Sequence, residues 1–218
     1  MTTFAQTSLR TGGARWSAAA WAAAGFGVLY LIGVGTLAGQ RLDDAAMRWA
    51  AAAVSDDSWA RVLLTWVSAG SVLTVGASVA AVTAITRGPR TALLGALSGA
   101  AVLLGAEVLK LALTRPGFSV DAVANSFPSG HVAAVTGLAV GLLLAVPAGP
   151  CRWAAMVGVA PVLALTGLAT VVLQWHRPSD ALGSVLLGVV VGVAAARWDQ
   201  TGRPRRRQER SVDSRSVW

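Results

Sequence analysis

"NSFPSGHVAAV", residues 125–135, breaks a chain otherwise built mostly of Ala, Val, Leu and Gly. Pro-Ser-Gly-His is a poor way to continue a helix, yet an apolar run resumes directly behind it. Pro128 and Ser129 are good helix starters, with the Ser129 hydroxyl available as a cap. Two hydrophobic segments therefore meet at a polar kink, and the kink ends on His131, one of only two histidines in the chain.

The apolar runs on either side set the class. The 218 residues are 55% hydrophobic and 13% charged, against roughly a quarter charged in a soluble domain. A soluble domain of this size leaves too much surface exposed to hide so much apolar area. Uncharged or nearly uncharged stretches run over 16–40, 62–86, 91–114, 132–151, 153–175 and 181–196. A spanning helix needs about 20 such residues, range about 17–25. The expected fold is all-α, a bundle of six transmembrane helices over residues 16–197. A cytoplasmic tail (1–15) precedes it, and a basic tail (198–218), read as disordered, follows it. The first run offers no persuasive cleavage site and reads as a retained helix.

Arginine placement orients the bundle. With six helices, both tails share a side with the loops around Arg87–Arg90 and Arg152. That side holds Arg10, Arg15, Arg87, Arg90, Arg152 and seven arginines from Arg197 to Arg215, twelve of the 18 basic residues. The positive-inside rule places both termini in the cytoplasm of a multi-pass plasma-membrane protein. "NSFPSGH" and "WHRPSD" then face outward. The basic run 203–210 and the net charge of +8 fit topology setting or contact with anionic lipid rather than nucleic acid. Cys151 is the only cysteine, which rules out an internal disulfide or a cysteine-rich metal site.

Three polar clusters lie at the outer helix ends. Lys110 is the one lysine, and Glu107, three residues before it, shares its helical face. Arg115-Pro116 follows and should end the third spanning helix. At "PSGH", Gly130 lets a ligand approach the backbone, and the helix start offers free N–H groups to an anion such as phosphate. In "WHRPSD", His176 and Asp180 are four apart and share a helical face. A carboxylate on one imidazole nitrogen makes the other a better base or nucleophile. Between the first two spans, "RLDDAAMRWAAAAVSDDSWAR" (41–61) suggests a short interfacial helix. Its Asp43-Asp44 and Asp56-Asp57 pairs read as a solvated, capping surface in preference to a Mg²⁺ site.

Taken together, "KLALTRP" (110–116), "PSGH" (128–131) and "HRPSD" (176–180) resemble, in order, the three signatures of the type-2 phosphatidic acid phosphatase superfamily, which includes the vanadium haloperoxidases. The family spacing Lys-x6-Arg-Pro is shortened here, and Thr170 stands where the third signature has arginine. The resemblance implies a phosphatase working through a phosphohistidine, with no metal and no cofactor. In it His176 attacks phosphorus, Asp180 orients His176, and His131 protonates the leaving oxygen. Lys110, Arg115, Ser129 and Gly130 hold the phosphate, with Arg177 in place of the missing arginine. The membrane setting favours a lipid phosphate substrate, a polyprenyl (di)phosphate or a phosphorylated glycerolipid, over haloperoxidase chemistry. The rivals are a silent relative that binds lipid phosphates and a transporter relaying ions through Glu107 and Lys110.

Overall fold

The computed structural model describes residues 17–118 and 125–201. The expected N-terminal tail and most of the basic C-terminal tail lie outside the described residues. The chain forms α1 (Ser17–Val34), α2 (Leu37–Ala53), α3 (Ser58–Trp66), α4 (Ala69–Arg87), α5 (Pro89–Ala112), α6 (Gly130–Ala145), α7 (Pro150–Val172) and α8 (Pro178–Thr201). The last turns of α1, Leu29–Val34, widen into a π-helix. Among the described residues there is no strand. Helices α1, α4, α5, α7 and α8 are long and apolar enough to cross a bilayer. The sixth, α6, has only 16 residues, about 24 Å at 1.5 Å per residue. α8 runs four residues past the expected boundary at 197.

α6 can be short because it is the middle of the bundle, touching α4, α5, α7 and α8. A helix that is hydrophobic all round is one that is buried. Its contact with α5 depends on small residues. A Cβ at Gly137 would stand 2.6 Å from the Gly99 carbonyl oxygen, and one at Gly99 2.9 Å from that of Gly137. Close backbone approach of this kind is how helices associate in lipid, where no hydrophobic drive separates protein from solvent. Phe127 anchors the segment ahead of α6. It is fully buried against the rings of Phe26 and Tyr30 at 5.1 and 5.7 Å. Gly183 leaves room for it, since a Cβ there would meet Phe127 Cε2 at 2.5 Å.

The two ends of the bundle differ. At one, α4 ends on Arg87, and Asp199 ties α8 to α5 through the Thr91 hydroxyl at 2.8 Å. Arg152 there donates to the Val146 carbonyl. At the other end α1, α5 and α7 finish, α6 and α8 begin, and the connection between α1 and α4 folds as two helices. α2 turns Gln40, Asp43, Met47 and Ala50 inward, while Leu42 and Trp49, 73% and 75% exposed, point away. That two-faced pattern at the end of a membrane bundle is what an interfacial helix requires. The sequence suggests one helix here; Val54–Asp57 breaks it into two. Asp56 closes the break by accepting from the Ser58 N–H and hydroxyl at 2.9 and 2.8 Å.

Candidate active site

Asp180, in the first turn of α8, is fully buried and organises the site. A buried carboxylate has to be paired and hydrogen-bonded, and four groups converge on it. Oδ1 accepts from Arg115 Nη2 at 2.6 Å. Oδ2 accepts from the Arg177 N–H at 3.0 Å and from the Ser126 hydroxyl, and His176 Nδ1 lies 3.6 Å from Oδ2. The last distance is just beyond a normal hydrogen bond. The Asp180 carbonyl meanwhile accepts the Ser129 N–H at 3.0 Å, so the starts of α6 and α8 are locked together.

His176 sits on the tight turn between α7 and α8. The carbonyl of Thr170 takes both the Trp175 and His176 amides, at 2.9 and 3.2 Å, and Gln174, with φ of +57°, reverses the chain. The fully buried Thr170 side chain bonds the Gly167 carbonyl. Where the resemblance puts an arginine, this chain thus has a buried threonine whose hydroxyl bonds within its own helix, while the backbone carbonyl at that position holds the turn. His131, in the first turn of α6, faces the same space. Its ring centroid is 6.2 Å from that of His176 and 5.7 Å from Trp175.

The cations arrive from α5 and the segment after it. Residues 113–118 are irregular but pinned: Asn125 Nδ2 donates to the Lys110 and Leu113 carbonyls, Tyr30 to that of Thr114, and Gln40 to that of Pro116. This holds the Arg115 side chain 4% exposed. Among the described residues, its Nε and Nη1 have no hydrogen-bond partner. Burial lowers the Arg115 pKa from its ordinary value, against the Asp180 carboxylate, although a guanidinium stays charged in any case. Unpaired buried donors cost about 1–3 kcal/mol each, so an acceptor brought to Nε or Nη1 would stabilise this end of the bundle. Lys110 Nζ pairs with both Glu107 oxygens at 3.0 and 3.1 Å. The pair leans over the start of α6, where a Cβ at Gly130 would lie 2.6 Å from Glu107 Oε1 and 3.5 Å from Lys110 Nζ. Ser129 caps the helix through Val132 N at 3.5 Å.

The structure therefore brings Lys110, Arg115, Ser129, Gly130, His131, His176 and Asp180 to one end of the bundle. Arg177 joins them through its backbone N–H on the Asp180 carboxylate, but its side-chain Nε is bound to Asp44 at 2.9 Å. The reading of Asp43-Asp44 as a solvated surface is corrected by these contacts. Asp43 is buried and accepts the Ser179 N–H and hydroxyl at 3.2 and 2.5 Å. Burial pushes its carboxyl up from the usual value, opposed by the Ser179 bonds. Asp56 and Asp57 do lie on the surface, the latter paired with Arg61. Ser126 and the first Asp pair are the site residues that motif reading missed. The spacing of Gln40, Asp43, Met47 and Ala50 on one helical face was the available signal for Asp43.

This arrangement, two facing imidazoles over a buried aspartate and an arginine with open donors, coincides with a family match over residues 91–204, more than half the chain. The chain belongs to the PAP2 superfamily. The same fold occurs in the crystal structure of a transmembrane PAP2-type phosphatidylglycerolphosphate phosphatase from Bacillus subtilis. That structure matches with a TM-score of 0.71 at 21% identity, over 86% of this chain and 98% of the other. No curated protein matches the sequence. All three PAP2 clusters lie at one end of the bundle, although the first two are joined by residues 119–124, outside those described.

Proposed function

We propose that this PAP2 protein is an integral-membrane phosphatase that hydrolyses a lipid phosphomonoester or diphosphate through a phosphohistidine. The observation that carries the reading is the pairing of His176 and His131 across one space, with Asp180 behind the first and open Arg115 donors beside it. In the proposed first step His176 Nε2 attacks phosphorus in line. Asp180 takes the Nδ1–H, a bond that tightens from 3.6 Å, as catalytic hydrogen bonds commonly do when substrate binds. The alkoxide or phosphate leaving oxygen takes its proton from His131. In the second step His131, now neutral, removes a proton from water, which attacks the phosphohistidine and releases inorganic phosphate and free His176.

Charge on the transferring group is matched by Arg115, by Lys110, by Arg177 through the guanidinium nitrogens that Asp44 Oδ1 leaves over, and by the first N–H groups of α6. Helix starts of this kind have amides with no carbonyl one turn back to bond. Such fixed donors stabilise developing charge without reorganising. A phosphorylated glycerolipid is supported by the substrate named for the Bacillus subtilis neighbour, and a polyprenyl (di)phosphate fits the same chemistry. The arginine distribution supports an active site in the outer leaflet of the plasma membrane with both termini cytoplasmic. Phosphate release by the purified protein from a panel of lipid phosphates, with and without EDTA, is the test. Activity that survives chelation and disappears in His176→Ala is expected. Activity that needs added Mg²⁺, or that persists in His176→Ala, defeats the reading.

A further inference from the structure

α8 starts Arg177-Pro178-Ser179-Asp180, and its cap is unusual. Residues before a first turn normally accept one of its free N–H groups through a short oxygen-bearing side chain. Arginine has no acceptor to offer. Half of the need is met locally, because Asp180 reaches back to the Arg177 N–H at 3.0 Å, as the third residue of a capping box does. The other half comes from α2, 136 residues earlier in the chain, where Asp43 takes the Ser179 N–H and hydroxyl. The adjacent Asp44 takes Arg177 Nε at 2.9 Å. Two consecutive carboxylates thus grip two of the three residues between His176 and Asp180.

Burial makes the grip exacting. Arg177 and Ser179 are each 3% exposed, so neither has water as an alternative partner. One turn earlier on the same inward face of α2, Gln40 donates to the Val34 and Pro116 carbonyls at 2.8 and 2.7 Å. That second contact fixes the segment carrying Arg115. One helix therefore sets both arginines and the aspartate behind the nucleophile.

We propose that Asp43 and Asp44 are positioning residues for the catalytic end of the bundle: Asp43 fixes the start of α8, and so the Asp180 carboxylate against His176, while Asp44 fixes the Arg177 guanidinium beside them. The kinetic consequence rests on the phosphatase reading; the geometric one does not.

The test uses the full chain in detergent micelles, with Asp43→Ala, Asp43→Asn, Asp44→Ala and Ser179→Ala, each checked by thermal melting. The kinetic readout is kcat and KM for phosphate release from a phosphatidate. The second is NMR of the imidazole nitrogens, which two histidines make assignable with single His→Ala variants. Asp43→Ala should lower kcat by about 10–100-fold, the scale of a 1 Å misplacement, with KM little changed. It should also move the His176 Nδ1 resonance away from that of a carboxylate-bonded N–H. Asp43→Asn should restore most of both, since its amide oxygen still accepts the Ser179 N–H. Asp44→Ala should lower kcat/KM and leave the His176 resonance in place. Wild-type kinetics together with a wild-type His176 resonance in Asp43→Ala overturn the proposal. If Asp43→Ala does not fold, Ser179→Ala decides on the same two readouts, with wild-type behaviour in both again overturning it. If the wild-type protein releases no phosphate, the phosphatase reading fails by itself. The His176 resonance in the variants then still decides the positioning, a shift supporting it and no shift overturning it.

Discussion

Gly130→Ala should separate folding from function more cleanly than any other single change at this site. The added Cβ would stand 2.6 Å from Glu107 Oε1, whereas carbon makes its best non-bonded contacts at about 3.5–4.0 Å. Something must retreat by about 1 Å. The obstacle is the end of a flexible side chain that is 49% exposed, so Glu107 can rotate away, and the stability change should stay within about 0.5 kcal/mol. The function should suffer far more. A methyl group would occupy the approach to the α6 start, and the displaced Glu107 would pull Lys110 with it. Loss of one such anion-stabilising donor costs about 10²–10³-fold in kcat, roughly 2.7–4 kcal/mol. Melting in micelles and phosphate release from a lipid phosphate measure the two effects on the same sample. Gly183→Ala is the contrast: its Cβ would strike the fully buried Phe127 ring at 2.5 Å, and overpacking of that kind costs about 1–3 kcal/mol of stability. A folded Gly130→Ala protein with wild-type kcat/KM would refute the idea that the anion approaches α6 here.

Three further outcomes follow from the same geometry. His131→Ala should slow hydrolysis of a lipid phosphate severely, yet release of a good leaving group such as p-nitrophenol should be partly rescued in the first step; equal loss on both substrates would remove His131 as the acid. Arg177→Ala should lower kcat/KM by about 2–4 kcal/mol in transition-state terms if Arg177 supplies the second cation, and wild-type kinetics would assign it to the contact with Asp44 alone. For topology, Ser55→Cys on a Cys151→Ala background should react with a membrane-impermeant thiol reagent in intact cells. Native Cys151, exposed near the Arg152 end, should react only after permeabilisation; the reverse pattern would invert the protein in the membrane.

The fold was legible because its signal is one-dimensional. Long apolar runs bounded by charge give spans, and Pro-Ser-Gly marks a helix start wherever it sits. The pairing of Lys110 with Glu107 was legible for the same reason, since i,i+3 neighbours share a helical face without help from tertiary structure, whereas His176 stands on the turn before α8 and reaches Asp180 from outside the helix. Ser126, Gln40 and the first Asp pair were not. Each acts on a residue between 54 and 136 positions away, and the one local signal, the helical face that Asp43 shares with Gln40, Met47 and Ala50, does not say which partner it meets. Arg177 shows the limit most plainly. Adjacent to His176 it reads as a phosphate ligand, and only the fold reveals that Asp44 already holds its Nε. Thr170 is the converse case. The arginine of the third signature is absent, and the fully buried Thr170 hydroxyl is spent within its own helix on the Gly167 carbonyl.

The central claim is that His176 becomes covalently phosphorylated. The purified protein, incubated with a ³²P-labelled lipid phosphate, quenched in alkali and digested, should yield one acid-labile labelled peptide containing His176, absent from His176→Ala; in His131→Ala the label should build up from p-nitrophenyl phosphate, whose leaving group needs no acid, as water attack slows. A fully active wild-type enzyme that never carries label, alongside a His176→Ala protein that still releases phosphate, would contradict it.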